Sequence, residues 1–299
     1  MLHQLGHWVR AWRLPAQLNL IFPSLLGLQW FAPCGTPWAE LPLGKALVLS
    51  FLLQWVIMTS NEAADALTDD AHARTLISGG AGVGAEGALS PQALRRGALI
   101  GAALGLVASF TLGGPAVTLA WLVALALIWA YDGPLRLSRH PLGAGCQALG
   151  VGIVMPWLTS GLVQPWGVPS AMQAVPGLLL GLSGHILTAL PDAQADRRAG
   201  KVTLVVKLGT TAAHRLMLAG FALAAAALAL GLPPSRCELA AEVPPWAVHA
   251  ALGIGAGLLS LAALPHAWIR QTSLGLPRHL WLAALASIIL WSSWIIRTP

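Results

Sequence analysis

The sequence predicts an all-α, polytopic membrane protein built as a bundle of about nine transmembrane helices. Three observations lead there. Apolar residues make up 56% of the 299 positions and charged residues only 9%, where a soluble domain carries about a quarter charged residues. The apolar residues fall into runs long enough to cross a bilayer, which takes about 20 mostly apolar residues. The basic residues then divide unevenly between the two sides that those runs define.

The expected spans are 15–33, 43–62, 94–112, 115–132, 142–163, 173–191, 212–231, 244–264 and 278–296, with the whole chain, 1–299, as one domain. Gly113-Gly114-Pro115 separates the third and fourth spans. It is a breaker signal for a tight turn between antiparallel helices. With the N-terminus inside, 14 of the 17 Lys and Arg residues face the cytoplasm, and Lys45, Arg236 and Arg297 face outward. The positive-inside rule therefore places the N-terminus in the cytoplasm and the C-terminus outside. The formal charge of +6 is this topological signal, so no nucleic-acid partner is expected and the bilayer is. Trp30, Trp38, Trp157, Trp166 and Trp246 stand near the ends of spans, where tryptophan belts form. Cys34, Cys146 and Cys237 lack pairing or metal-type spacing.

The acidic residues are the chemical signal. Of only 11 in the chain, Glu62, Asp65, Asp69 and Asp70 crowd the end of the second span. Carboxylates there are costly unless something positive meets them. Asn61, Asp65 and Asp69 are spaced i, i+4, i+8 and share about 80° of arc on one helix face. Asp192 and Asp196 repeat the i, i+4 spacing after the sixth span, on the same membrane side. Two such faces repel unless a cation lies between them. Mg²⁺ suits them, because it takes oxygen ligands and binds one or two carboxylates together with substrate phosphates. Arg74 follows the first face, and Arg197, Arg198 and Lys201 follow the second. Acidic faces, metal and flanking basic groups suit a polyphosphate. Ordinary juxtamembrane ion pairs would explain one such motif but not two matched ones.

Ser78–Gly87 carries five glycines yet lacks the Gly-Lys-Ser/Thr ending of a P-loop and follows no strand. A flexible lid over the site is the expectation. Two polar residues lie inside spans. His185 precedes Asp192 by two turns, so it could line a substrate pocket, take a phenol proton or simply bond between helices. Asn19 in the first span is a similar candidate.

These residues resemble the UbiA superfamily of intramembrane prenyltransferases. Asn61-x-x-x-Asp65-x-x-x-Asp69 matches its first motif and Asp192-x-x-x-Asp196 its second. The block from Leu190 to Gly209, with Gly200-Lys201-Val202-Thr203, follows the family pattern almost throughout, and Tyr131-Asp-Gly-Pro134 is similar to its Tyr-x-x-Pro. The resemblance implies a helical bundle around a central cavity open to the cytoplasm. It also implies Mg²⁺-dependent transfer of a prenyl group from a polyprenyl diphosphate to a small aromatic acceptor. Asn61, Asp65 and Asp69 would hold one metal, and Asp192 and Asp196 another. Arg74, Lys201 and Arg197 would meet the diphosphate, and Tyr131, His185 and Asn19 the substrates.

Ser78–Gly87, Ala88-Leu-Ser-Pro91 and Leu190-Pro-Asp192 look most like the 1,4-dihydroxy-2-naphthoate polyprenyltransferase branch. That branch makes menaquinone or phylloquinone precursors, and its likeness implies a bacterial cell membrane as the location. The 4-hydroxybenzoate branch is the near alternative, although its Arg-Pro pair after Arg-Thr is replaced here by Leu76-Ile77-Ser78. Glu62 stands where many members carry Asp. A cation transporter is the competing class, but its sites lie near the bilayer midplane, whereas these carboxylates gather at one side.

Overall fold

The computed structural model describes residues 2–33, 36–66, 80–230 and 278–297, with eight helical positions between 252 and 262. Asp69, Asp70 and Arg74 lie outside the described residues, as do Cys34, Cys237 and Trp246 and most of the expected 244–264 span. The described elements are all helical. They are α1 (Leu2–Ala11), α2 (Leu18–Trp30), α3 (Leu43–Asp65), α4 (Pro91–Asp132), α5 (Leu142–Ser160), α6 (Ala171–Ala189), α7 (Ala193–Arg198), α8 (Leu204–Leu208), α9 (Thr210–Ala229) and α10 (Arg278–Arg297). Among them α3, α4, α5, α6 and α9 are long and apolar enough to cross a membrane.

Although its helical hydrogen bonding is nearly continuous, α4 is a hairpin of two spans. Gly114 takes φ +72°, a left-handed value that glycine adopts without a Cβ penalty. The indole of Trp121 donates to the carbonyl of Ala102 at 3.3 Å. In one straight helix those residues would stand about 28 Å apart. The chain therefore folds back at Gly113-Gly114-Pro115, as the sequence predicts. At that turn Lys45 Nζ donates to the Leu112 carbonyl at 3.3 Å, so Lys45 sits at the end of the bundle opposite the acidic motifs.

Lipid is as apolar as leucine, so spans associate through close contact rather than hydrophobic exclusion. Large apolar residues accordingly point outward from α4: Leu99 is 70% exposed and Phe110 62%. Small residues mark the crossings. A Cβ on Gly152 of α5 would stand 2.2 Å from the Gly177 carbonyl oxygen of α6. The same stretch of α5, Gly150–Val154, widens into a π-helical turn. Ser170 and Gln173 close the start of α6 as a reciprocal capping box.

Two large clusters and two smaller ones form the interior of the described residues. One large cluster joins α2, α6, α9 and α10 through Leu26, Leu180, Ile186, Phe221 and Leu290. The other large cluster joins α2, α3, α4 and α5 through Leu20, Leu49, Trp121 and Met155. Trp30 belongs to the first cluster, with only 1% of its surface exposed, so it is a core residue and not part of an interfacial belt. Trp38 and Trp166 are exposed. Trp157 is half-buried and donates to the Gly167 carbonyl at 3.1 Å.

Candidate active site

The acidic motifs meet on one lysine. Asp65 ends α3 and is buried. Its Oδ1 lies 2.9 Å from Lys201 Nζ, which also lies 3.4 Å from Asp196 Oδ1. Arg139 Nη2 adds a long contact to Asp65 at 4.0 Å. Lys201 is itself buried, with 6% of its side chain exposed. A buried ammonium is tolerated only when paired, and two carboxylates from motifs 131 residues apart pair it here.

The local sequence explains how Lys201 reaches back. Gly200 turns the chain out of α7 at φ +71°. The Lys201 amide donates to the Asp196 carbonyl at 2.9 Å. Thr203 then caps α8 by accepting the Val206 amide at 3.4 Å. The Val202 amide donates to the Arg139 carbonyl at 2.9 Å, fastening the α4–α5 connection to the second motif. Each residue of Gly200-Lys201-Val202-Thr203 thus has a geometric task. Burial pushes the Asp196 carboxyl above the usual carboxylate range, against the opposing pull of Lys201. Asp192, at the start of α7, is half-buried, and its carbonyl accepts the Asp196 amide at 2.8 Å.

Beside this cluster is a second polar group. Asn61 Nδ2 donates to Asp132 Oδ1 at 3.4 Å. Tyr131 meets the His185 ring edge to face, with centroids 6.5 Å apart. Tyr131, Asp132 and Gln147 line one part of a cavity. Leu20, Leu53, Ile57, Leu127 and Ile128 form its apolar wall. The sequence-selected residues Asn61, Asp65, Tyr131, His185, Asp196 and Lys201 are therefore neighbours in these two groups. Asn19 and Arg197 are exposed.

Glu62 has a different occupation from the rest of its motif. Buried at 4% exposure, its carboxylate accepts the amides of Ala81, of Gly82 at 3.1 Å and of Gly84 at 3.4 Å. Glycine-rich backbone with convergent N–H groups is an anion-binding nest, and here the anion is the protein's own carboxylate. Arg10 of α1 holds the same loop, donating to the Ala81 carbonyl at 3.2 Å and to Glu86 at 2.9 Å. The described part of the expected lid is thus pinned from two sides. The sequence reading missed this role, and it missed Asp132 and Arg139. For Asp132 a signal existed, since it too is a carboxylate ending an apolar helix.

Among the described residues no three His, Cys, Asp or Glu side chains group as a metal site. Asp65 and Asp196 are the carboxylates that converge. Hard oxygen donors on two separate elements, close enough to share one ammonium, fit a Mg²⁺ ion that completes its shell with phosphate oxygens and water.

A helical membrane protein with a charged site beside an apolar cavity has the architecture for a substrate with a charged head and a lipid tail. The chain belongs to the UbiA prenyltransferase family, whose model matches residues 20–273, and it is an intramembrane prenyltransferase. Solved structures share its fold. A UbiA homologue from Archaeoglobus fulgidus bound to DMAPP and Mg²⁺ aligns with a TM-score of 0.68 at 17% identity, covering 97% of each chain. The apo UbiA homologue from Aeropyrum pernix K1 aligns at 0.63 and 18% identity, covering 93% of this chain and 96% of that one. A digeranylgeranylglyceryl phosphate synthase aligns at 0.57 and 14% identity, covering 99% of this chain and 98% of that one. No curated protein matches the sequence.

Proposed function

We propose that the protein transfers the prenyl group of a polyprenyl diphosphate to 1,4-dihydroxy-2-naphthoate, at the cytoplasmic side of a bacterial cell membrane. The observation that carries this reading is the convergence of Asp65 and Asp196 on Lys201 beside an apolar cavity. Asn61, Asp65, Asp69, Asp192 and Asp196 hold Mg²⁺ in this reading. The metal supplies charge neutralisation that makes the diphosphate a better leaving group. Lys201, with Arg74 and Arg139, meets the remaining diphosphate charge. As the allylic C–O bond breaks, its electron pair leaves with the diphosphate; an electron pair of the ring forms the new C–C bond, and the attacked ring carbon then loses its proton to restore aromaticity. Stabilising charge on the leaving group is the dominant contribution in such chemistry. Leu53, Ile57 and Leu127 wall the prenyl chain and exclude water from the electron-deficient carbon. Tyr131 and His185 face the acceptor.

The DMAPP and Mg²⁺ bound by the Archaeoglobus homologue support the donor and the metal. The 14 of 17 basic residues assigned to one side support an inward N-terminus and outward C-terminus, with 1–299 acting as one domain. The buried Lys201 between the two carboxylates opposes a cation pathway.

The test is transfer of labelled geranyl diphosphate in membranes containing the full chain, with 1,4-dihydroxy-2-naphthoate or 4-hydroxybenzoate. Prenylated naphthoate with Mg²⁺ and none with EDTA is expected. Product from 4-hydroxybenzoate alone would move the assignment to that acceptor, and no product from either would refute the reading.

A further inference from the structure

Asp132 is in an unfavourable place for a carboxylate. It is the last residue of α4, at the negative end of the helix macrodipole. The group that hydrogen-bonds it is neutral, the Asn61 amide at 3.4 Å, with the Asp65 and Lys201 pair near by. It is also the one charged side chain among the described residues lining the apolar cavity. Folding alone gives no reason for a charge there.

Its position suggests one. Asn61, which bonds Asp132, stands one helical turn before Asp65 on α3, about 6 Å along the axis. Asp132 therefore marks the boundary between the diphosphate cluster and the apolar cavity. With the diphosphate at Lys201 and the chain in the cavity, the reacting carbon lies at this boundary. The molecule that must approach it is the acceptor. A carboxylate offers about four acceptor positions, and the Asn61 amide that bonds Asp132 leaves room for a further donor.

We propose that Asp132 is a specificity-determining residue: its carboxylate accepts a hydrogen bond from a hydroxyl of the aromatic acceptor, and it turns away acceptors that present an ether or a carboxylate at that point. The ether lacks the proton and leaves the carboxylate without its bond. The carboxylate meets a like charge at short range. Any acid group on the acceptor then points away from Asp132. This rests on the prenyl-transfer reading above for the identity of the occupant, but its first test does not need turnover.

The full chain in nanodiscs is titrated with 1-naphthol and with 1-methoxynaphthalene, without diphosphate and with EDTA, against empty nanodiscs. Wild type should bind the naphthol roughly tenfold more tightly than its ether, as expected for a hydrogen bond to a charged group. In Asp132→Asn the ratio should fall towards one, and Asp132→Glu should retain most of it. Asp132→Ser replaces the Asn variant if thermal unfolding shows that variant to be misfolded. A ratio near one in wild type overturns the proposal, and so does an unchanged ratio in the variant. A transfer assay with the 1,4-dihydroxy-2-naphthoate hydroxyls free or methylated follows. Expected is a raised KM for the free acceptor in Asp132→Asn, with the KM for geranyl diphosphate unchanged. A change confined to the diphosphate KM overturns the proposal. Absence of all transfer by wild type would refute the prenyl-transfer reading, while the naphthol ratio still decides the role of Asp132.

Discussion

Glu62 and Asp65 are three residues apart on the same helix, and both are buried carboxylates. Asp65 meets an ammonium that it shares with Asp196. Glu62 meets three peptide amides of the glycine-rich loop. Glu62 lies only about 60° around the helix from Asp65, but its longer side chain turns to the loop amides instead of the cluster. Identical chemistry one turn apart thus serves two ends. One carboxylate is neutralised by a mobile-headed cation suited to a charged substrate, the other by fixed dipoles suited to holding a loop.

The sharpest way to probe the Asp65 side is to remove the cation. Lys201→Met leaves Asp65 and Asp196 facing each other, and labelled prenyl transfer should drop by roughly 10³-fold, the upper range for losing one donor to developing negative charge. Asp65→Asn keeps the shape and removes the charge. Its kcat should fall by about 10²-fold, and added Mg²⁺ should not restore it.

Proton competition comes next. Burial raises the Asp196 carboxyl above its ordinary value, so the neutral form persists in the fold to a higher pH than in the unfolded chain. The stability contribution is complete below the unfolded value and is lost as pH rises through the raised one. For metal binding the sign is opposite, because the ionised form is the ligand. The half-saturating Mg²⁺ concentration should therefore increase as pH falls through the raised value. Asp196→Asn should flatten that dependence in a Mg²⁺ titration of transfer rate.

Glu62→Gln can break the comparison outright. If Glu62 serves the loop, the substitution costs about 1–3 kcal/mol of stability, seen in thermal unfolding. Hydrogen exchange at Ala81, Gly82 and Gly84 should accelerate, with kcat down less than about tenfold. A collapse of kcat equal to that of Asp65→Asn would make Glu62 part of the chemistry instead. The smallest effect belongs to the exposed Arg197. Arg197→Ala should change the transfer rate by no more than about twofold, as for a solvent-screened charge.

That Asn61, Asp65, Asp196 and Lys201 stand close together was legible, because charge at the end of an apolar helix is rare and helical spacing reveals a shared face. The α4 hairpin was legible because Gly113-Gly114-Pro115 is a local signal. Arg139 was not, since nothing local announces a partner 74 residues away at Asp65; Asp132 carried the same helix-end signal, but its partner 71 residues away at Asn61 was not legible. Trp30 was misplaced for a related reason. A tryptophan at a span end reads as a belt residue, and only the packing of α2 against its neighbours shows it enclosed.

By itself the sequence determined where the apolar spans run, which helix ends carry carboxylates and that basic groups stand on the same side. Those properties are periodic or compositional, and a bilayer enforces them one helix at a time. The tertiary structure decided which partner each carboxylate meets: Lys201 for Asp65 and Asp196, Asn61 for Asp132, the loop amides for Glu62. Peptide amides and neutral donors occur throughout the chain, so only packing selects the few that a buried charge can reach.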